Sequence, residues 1–305
     1  MPVNIPDSLP AVAELQRENI FVLSSTRANS QDIRALRIGI LNLMPLKGKT
    51  ETDLLRLISN SPLQVEIDLI ETASYRGSHT PKSHMDTYYL SWPKVKGRFY
   101  DGFIITGAPV EDIPYENVSY WEELKEIMDW CREHVTSTMY ICWGALAALY
   151  HYYGINKVNL EKKLSGVYIH SITDPSCPLF RGFDDEFLVP HSRHSTIRKE
   201  DVIKNTGLQI LSESMEAGVH CILGRGGREI YVTGHSEYSP DTLDYEYKRD
   251  ISLGLSPSIP ENYYKNNDPT LGVTVRWRSH ANLLFSNWLN YYVYQETPYE
   301  LPVSE

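Results

Sequence analysis

The stretch Ser137-Thr138-Met139-Tyr140-Ile141-Cys142-Trp143-Gly144-Ala145 predicts a buried strand that turns sharply into a helix. Cys142 stands at the turn, where the positive end of the helix would favour its thiolate. The small residues Gly144 and Ala145 would let the backbone approach a ligand, and the N–H of Trp143 would face a developing oxyanion, as in other nucleophile elbows. A lone buried cysteine is more often structural, so this stretch leaves both interpretations open.

A second predicted strand ends in a histidine and a carboxylate. Residues 229–234 lead directly into His235-Ser236-Glu237. An imidazole can accept a thiol proton, and a carboxylate two residues away can fix the tautomer and orientation of the ring. The H-x-E pattern is weak alone and would then be read as a loop histidine. Together with Cys142 it favours a cysteine nucleophile served by His235 and Glu237.

Buried strands alternate with amphipathic helices through the first half of the chain, with strands predicted at 38–43, 65–69, 103–106 and 137–141. This alternation is typical of an α/β fold with a doubly wound parallel sheet that is covered on both faces. Such sheets bind ligands at the carboxyl ends of their strands. Gly107-Ala108-Pro109-Val110-Glu111 follows the third of these strands and is expected at the same sheet edge as Cys142.

The remaining segments complete the predicted architecture. Thr50 with Asp53, and Ser119 with Glu122, are interpreted as capping boxes that begin two helices. The whole chain, 1–305, is predicted to be one domain with insertions. Its segments are an irregular N-terminal arm at 1–35, an α/β body at 36–305, a loop or short excursion at 71–98, strands at 187–190, 208–211, 219–223 and 229–233, and an apolar helix at 281–294. That last helix is most simply core, and a homodimer surface is the alternative.

Composition narrows the classes of function. The formal net charge of −10 disfavours nucleic acid and anionic membranes as partners. The chain has no apolar run long enough to span a membrane and no secretory leader, so a cytoplasmic location is expected. The four cysteines form no C-x-x-C pair, so neither a metal site nor a disulfide framework is expected.

Taken together, the motifs resemble one family, the cysteine-dependent homoserine O-acyltransferases of methionine biosynthesis, which comprise homoserine O-acetyltransferases and O-succinyltransferases. The resemblance covers nearly the whole chain. It rests on several motifs in the family's order: 31–34 (QDIR), 40–45 (ILNLMP), 104–111 (IITGAPVE), 141–145 (ICWGA), 191–194 (HSRH), 234–238 (GHSEY) and 276–280 (RWRSH). It implies a flavodoxin-like sheet of the class I glutamine amidotransferase type.

The resemblance also implies a reaction and a set of site residues. The expected activity moves an acyl group from acyl-CoA to the hydroxyl of L-homoserine, the first committed step of methionine biosynthesis, with no cofactor beyond the co-substrate. Cys142 would carry the acyl group, His235 would be the general base, and Glu237 would orient it. Substrate contacts are implied at Lys163, Ser192 and Arg249. Lys47 is a further candidate, beside the Trp143 N–H, for stabilising the oxyanion.

Glu111 is similar to a residue that selects the acyl donor in this family. Glutamate at that position goes with acetyl transfer, and glycine goes with succinyl transfer. Two carboxylates about 4 Å apart repel by about 4 kcal/mol at an effective dielectric of 20, so Glu111 predicts acetyl-CoA as the donor. Leu146 departs from the glutamine that often follows the elbow, which leaves L-serine open as an acceptor. Succinyl-CoA as the donor also stays open, as does the activity of a glutamine amidotransferase-like amidase.

Overall fold

The computed structural model describes residues 3–6, 8–18, 34–75, 77 and 79–298, and the strands in these residues join in one sheet. They are β1 Val3–Asn4, β2 Leu36–Leu41, β3 Val65–Glu71, β4 Tyr89–Ser91, β5 Tyr100–Ile105, β6 Val135–Ile141, β7 Val158–Ile172, β8 Glu186–Thr196, β9 Leu208–Ser214, β10 Gly218–Gly224 and β11 Glu229–Val232.

The sheet has a parallel part and an antiparallel part, in the order β1-β3-β2-β5-β6-β11-β10-β9-β7-β8, with β4 on β3. All pairs from β1 to β11 are parallel, as the alternation of strands and helices predicted. From β11 onward the pairs β11–β10, β10–β9, β9–β7 and β7–β8 are antiparallel. The sheet is therefore mixed.

Helices cover this sheet, and none in the described part of the chain is both long and apolar enough to cross a membrane. They are α1 Pro10–Arg17, α2 Lys47–Ile58, α3 Lys82–Tyr88, α4 Trp92–Val95, α5 Trp121–His134, α6 Trp143–Tyr153, α7 Lys199–Ile203, α8 Thr242–Ser252 and α9 Arg278–Asn287, the last continued by a π-helical turn at Trp288–Tyr294.

Alternate residues of the central strands enter two hydrophobic cores on opposite faces. Ile104 and Met139 belong to the core that contains α1, α2 and α9. Their chain neighbours Phe103 and Tyr140 belong to the core that contains α5 and α6. Successive side chains of a strand point to opposite faces, so both faces of the parallel part are covered, as predicted.

Several local predictions are wrong. Helix α2 begins at Lys47, so Thr50 lies within its first turn, and Asp53 binds Arg56. Helix α5 begins at Trp121, and its first N–H groups bond to backbone carbonyls of Val118 and Tyr120. Neither expected capping box forms. Helix α2 is already helical before Thr50, and Tyr120, not Ser119, holds the N-cap position of α5.

Two segments predicted to be irregular contain regular structure. The segment 71–98 holds α3, β4 and α4, because β4 adds to the edge of β3. The N-terminal arm holds β1 and α1, and α1 begins with Pro10, which is favourable at a first helical position. Buried Leu15 packs this helix on the body. The rest of the arm at 19–33 lies outside the described residues.

Candidate active site

The carboxyl ends of β2, β5, β6 and β11 lie side by side and are joined by backbone hydrogen bonds. Thr106 N donates to Leu41 O at 3.1 Å, which joins β5 to β2. Cys142 N donates to Val232 O at 2.7 Å, which joins β6 to β11. The residues that follow β5, β6 and β11 therefore meet at one edge, as the sequence predicted.

Cys142 occupies a strained backbone turn between β6 and α6. Its φ of 50° and ψ of −117° place a non-glycine residue at positive φ, a conformation that is costly and concentrated at functional sites. Gly144 is required behind the turn, because a Cβ there would lie 2.6 Å from Thr106 O. A Cβ on Gly107 would lie 3.3 Å from the Cβ of Cys142. Small residues thus let the chain after β5 pack closely against the turn that carries the sulfur.

His235 and Glu237 form a buried pair beside Cys142. His235 Nδ1 and Glu237 Oε1 are 2.6 Å apart, and the His235 ring stacks on Tyr238 with centroids 4.1 Å apart. Burial lowers the pKa of His235, but the Cys142 sulfur and the Glu237 carboxylate raise it, and the net pKa lies well above the ordinary value. The geometry therefore favours an imidazolium that faces the sulfur and is held by the carboxylate.

One cavity of about 300 Å³ collects most of the residues that the sequence had singled out. It is lined by Cys142, His235, Glu111, Lys163, Ser192 and Arg249, among others. Glu237 stands behind His235 and contacts its far ring nitrogen. The residues come from both halves of the chain, so the antiparallel part of the sheet completes the cavity.

Lys163, Ser192 and Arg249 are tied together by two carboxylates that the sequence analysis missed. Glu246 Oε2 accepts hydrogen bonds from Lys163 Nζ at 3.1 Å and from Ser192 Oγ. Asp250 Oδ1 accepts from Arg249 Nη2 at 2.6 Å. Glu246 and Arg249 are three residues apart, which places them on one face of α8. This spacing is the feature of the sequence that could have pointed to Glu246.

Glu111 reaches across the cavity to β8. Its Oε2 accepts hydrogen bonds from His194 N at 2.7 Å, from Ser195 N at 2.9 Å and from Ser195 Oγ at 3.0 Å. The backbone of the Glu111 loop is held separately, since Lys157 Nζ donates to the carbonyls of Glu111 and Ile113. The carboxylate is thus bound by three donors rather than free in the cavity.

The two oxyanion candidates lie in different places. Trp143 is the first residue of α6, so its N–H has no acceptor within the helix and stands next to the sulfur. Lys47 lines a neighbouring cavity of about 240 Å³ and donates to Asn42 O. Burial lowers the pKa of Lys47 to about 8, although Glu71 and Glu51 oppose this. The part assigned to Lys47 stays a prediction.

Behind His235, the described residues contain one group of side chains with the spacing of metal ligands. Nitrogen atoms of His170, His191 and His220 lie within 4.8 Å of one another. Burial lowers the pKa of His170 to about 4 and that of His191 and His220 well below the ordinary value, with Arg193 adding to the effect. The nearby guanidinium disfavours a cation there, and the absence of a resident metal stays a prediction.

Comparison with known proteins adds a family to this geometry. The sequence model of the homoserine O-succinyltransferase family matches residues 2–299. The chain belongs to the homoserine O-succinyltransferase family. As a member of that family it is an acyltransferase enzyme, as the sequence motifs indicated.

Curated relatives of this family member match over nearly their full lengths. A homoserine O-acetyltransferase of Bacteroides fragilis is 60% identical over 301 residues, covering 99% of each chain. Proteins with the same name from Acetivibrio thermocellus and Brevibacillus brevis are 56% and 54% identical, covering 99% of this chain and 99% and 98% of their own.

Solved structures of glutamine amidotransferases have a fold similar to that of this chain. A glutamine amidotransferase from Thermotoga maritima has a TM-score of 0.56 at 13% identity, covering 86% of this chain and 100% of its own. One from Methylobacillus flagellatus has a TM-score of 0.53 at 10% identity, covering 90% and 100%. The family member therefore has the fold of class I glutamine amidotransferases, as predicted.

Proposed function

We propose that the enzyme transfers an acetyl group from acetyl-CoA to the hydroxyl of L-homoserine through an acyl-cysteine on Cys142. The observation that carries this proposal is that one cavity holds a cysteine with its imidazole and carboxylate partners together with a charged cluster suited to an amino acid. The acetyltransferase names of the 54–60% identical relatives support the same donor and acceptor.

The first half-reaction moves the acetyl group from one sulfur to another. The Cys142 thiolate attacks the thioester carbon, and the Trp143 N–H faces the oxyanion that forms. The bond between the acyl carbon and the CoA sulfur then breaks, and protonated His235 gives its proton to the departing thiolate. A thioester replaces a thioester, so this step is nearly balanced in free energy.

The second half-reaction passes the acetyl group to an alcohol. Neutral His235 accepts the proton of the homoserine hydroxyl as its oxygen attacks the acyl carbon, and the bond to the Cys142 sulfur breaks. The thiolate that leaves restores the resting ion pair with the imidazolium. An oxygen ester replaces a thioester, which makes the overall transfer downhill. The two half-reactions predict ping-pong kinetics.

The charged cluster matches the two ionic ends of the acceptor. A guanidinium binds a carboxylate in bidentate fashion, so Arg249 is assigned to the homoserine carboxylate. An ammonium needs an anion, and Glu246 presents a carboxylate to the cavity that already accepts from Lys163 and Ser192. Tyr238 OH donates to Glu246 Oε1 at 3.3 Å while its ring stacks on His235. Tyr238 thus links acceptor binding to the base.

A thiol-release assay tests the function by crossing acetyl-CoA and succinyl-CoA with L-homoserine and L-serine. The proposal predicts the highest kcat/KM for acetyl-CoA with L-homoserine. Faster turnover of succinyl-CoA would refute the assignment of the donor, and preference for L-serine would refute that of the acceptor. Ammonia release from glutamine would instead favour the amidase.

A further inference from the structure

We propose that the N–H groups of His194 and Ser195, with the Ser195 hydroxyl, form a carboxylate cradle that Glu111 fills in this enzyme. When residue 111 has no side chain, the terminal carboxylate of a dicarboxylic acyl donor takes its place. This inference rests on the proposed function and deepens it by naming the groups that recognise the acyl chain. The selecting element is then a binding site on β8, and Glu111 is its built-in occupant.

Three donors converge on a single oxygen of Glu111, at 2.7, 2.9 and 3.0 Å. N–H groups of successive residues in a regular strand point to opposite sides, so His194 and Ser195 need a local irregularity to share one acceptor. The pairing of β7 with β8 is irregular beside these two residues. Along β7 the pairing advances five residues, from Asn159 to Leu164, while β8 covers only two, between Ser195 and Arg193. Such irregularities are common beside active sites.

A buried positive charge adds to the attraction of this cradle for an anion. Arg193 is 1% exposed, and its guanidinium donates to Thr196 Oγ1 at 2.9 Å and to the backbone carbonyls of Ser195 and Ala217. Its Nε has no hydrogen-bond partner in the described structure. Within the described residues none of its hydrogen bonds goes to a carboxylate. The negative charge of Glu111, after that of Cys142, stabilises the guanidinium electrostatically.

The cradle and Cys142 share one cavity. Glu111, His194 and Cys142 line the same cavity, while Ser195 is completely buried beneath Glu111. Removing the Glu111 side chain would therefore open a path from the sulfur to three unsatisfied donors. Buried donors without partners are costly, so a carboxylate delivered on the acyl chain would be stabilised there.

This account differs from simple charge repulsion in what a neutral residue should do. Repulsion alone predicts that Glu111→Gln admits succinyl-CoA as readily as Glu111→Gly does. If the cradle is filled, the Glu111→Gln variant should still exclude succinyl-CoA, because the amide oxygen can accept hydrogen bonds from the same N–H groups. The loop should keep its place in both variants, since Lys157 holds the carbonyls at 111 and 113 without using the Glu111 side chain.

The test measures the rate of Cys142 acylation by intact mass, without any acceptor. The donors are acetyl-CoA, succinyl-CoA and 4-methylpentanoyl-CoA, an uncharged isostere of succinyl-CoA. In Glu111→Gly, the rate with succinyl-CoA should rise far more than that with the isostere. Adding Ser195→Ala should then lower the succinyl rate about 10-fold or more, the effect of one hydrogen bond to a charged group, without a matching loss for the isostere.

Three results would overturn the cradle: an equal gain for the isostere, no effect of Ser195→Ala on the succinyl rate, or a gain in Glu111→Gln that equals that in Glu111→Gly. Acylation is read separately from transfer, so failure to transfer to homoserine would refute the proposed function while the cradle is still measured. If no donor acylates the wild-type cysteine, the proposed function fails and the cradle falls with it.

Discussion

The backbone N–H of His235 donates to the carbonyl of Pro190 at 2.8 Å, so β8 helps to fix the position of the proposed base. The same strand carries Ser192, which bonds to Glu246, and the N–H groups that hold Glu111. One strand from the antiparallel part of the sheet therefore contacts the proposed base, the proposed acceptor site and the proposed acyl pocket. This shared support explains how residues far apart in sequence keep a common geometry.

The first prediction concerns Gly234, which brings His235 close to β8. A Cβ at Gly234 would lie 2.6 Å from Val189 Cγ1 and 2.9 Å from His191 Cε1, so Gly234→Ala must displace one of these segments. We expect a loss of about 1–3 kcal/mol in the free energy of unfolding and a fall of about 100-fold in kcat. Urea denaturation and steady-state kinetics measure the two effects.

Gly207→Ala is the matched control for this substitution, because a Cβ at Gly207 meets nothing within 4 Å. It should leave both quantities close to wild type. Equal effects of the two substitutions would show that contact between β8 and the His235 segment does not position the base.

The second prediction concerns the pH dependence of acyl transfer. The pKa of His235 is raised, with Cys142 and Glu237 outweighing burial, and in the acyl-enzyme the charge of the Glu237 carboxylate remains. Neutral His235 is needed to accept the homoserine proton, so the rate should rise with pH through the pKa that His235 has in the acyl-enzyme, where Glu237 still raises it. Glu237→Gln removes the charge that stabilises the imidazolium and should shift the midpoint to lower pH.

The same variant should also lower the maximal rate by about 10²–10⁴-fold, because the tautomer and orientation of the ring are no longer fixed. Single-turnover deacylation of isolated acetyl-enzyme across pH measures both effects. A midpoint that stays in place or moves to higher pH would contradict the assigned pairing of His235 with Glu237.

The third prediction separates the two half-reactions at Glu246. Glu246→Gln removes the anion assigned to the homoserine ammonium, and we expect the KM for L-homoserine to rise about 10- to 100-fold. Acylation of Cys142 by acetyl-CoA should change much less. Glu213→Gln, at a partly exposed residue paired with Lys199, is the control and should change neither value. An equal effect on acylation would show that Glu246 supports the cysteine rather than the acceptor.

The fourth prediction concerns stability in acid. His170 has a pKa lowered to about 4 by burial, and His191 and His220 are lowered further, so all three are neutral in the folded state. The unfolded chain binds these protons below pH about 6.5, so stability should fall as the pH drops from there toward 4. The pKa of His235 is raised in the folded state, so this residue is protonated in both states well below pH 6.5 and adds no slope there.

Each of these histidines contributes up to about 1.4 kcal/mol per pH unit. The slope of unfolding free energy against pH should therefore be shallower in His220→Leu by up to that amount, whereas His79→Gln, at an exposed histidine, should keep the wild-type slope. Unfolding in urea at several pH values measures it. A slope that His220→Leu leaves unchanged would mean that this ring is protonated in the folded protein.

The parallel sheet and the turn at Cys142 could be predicted because their signals are local. Buried β-rich runs ending in Cys142 or in Gly234-His235 specify both the strand and the residue at its end. Strand β7 was missed because much of it is exposed or half-buried, so its residues carry no clear hydrophobic alternation. The pairing of β7 with β8 is irregular near Lys163. This irregularity depends on the partner strand, so the local sequence of β7 does not predict it.

Glu246 was missed for a different reason. A glutamate on an amphipathic helix is normally a solvated charge, and only the fold shows that three donors from separate elements meet at its carboxylate. Glu111 was found from family resemblance, but its hydrogen bonds to His194 and Ser195 depend on the meeting of two distant segments. Side chains whose roles depend on long-range contacts therefore need the structure.

The central claim is that Cys142 carries the acyl group, and intact mass measurement tests it most directly. Enzyme mixed with acetyl-CoA and no acceptor should gain one acetyl group on Cys142 and lose it on addition of L-homoserine, with an equal amount of O-acetylhomoserine formed. Cys142→Ala should show neither the adduct nor turnover. Turnover that persists in Cys142→Ala, or an adduct on another residue that passes to homoserine, would contradict the account.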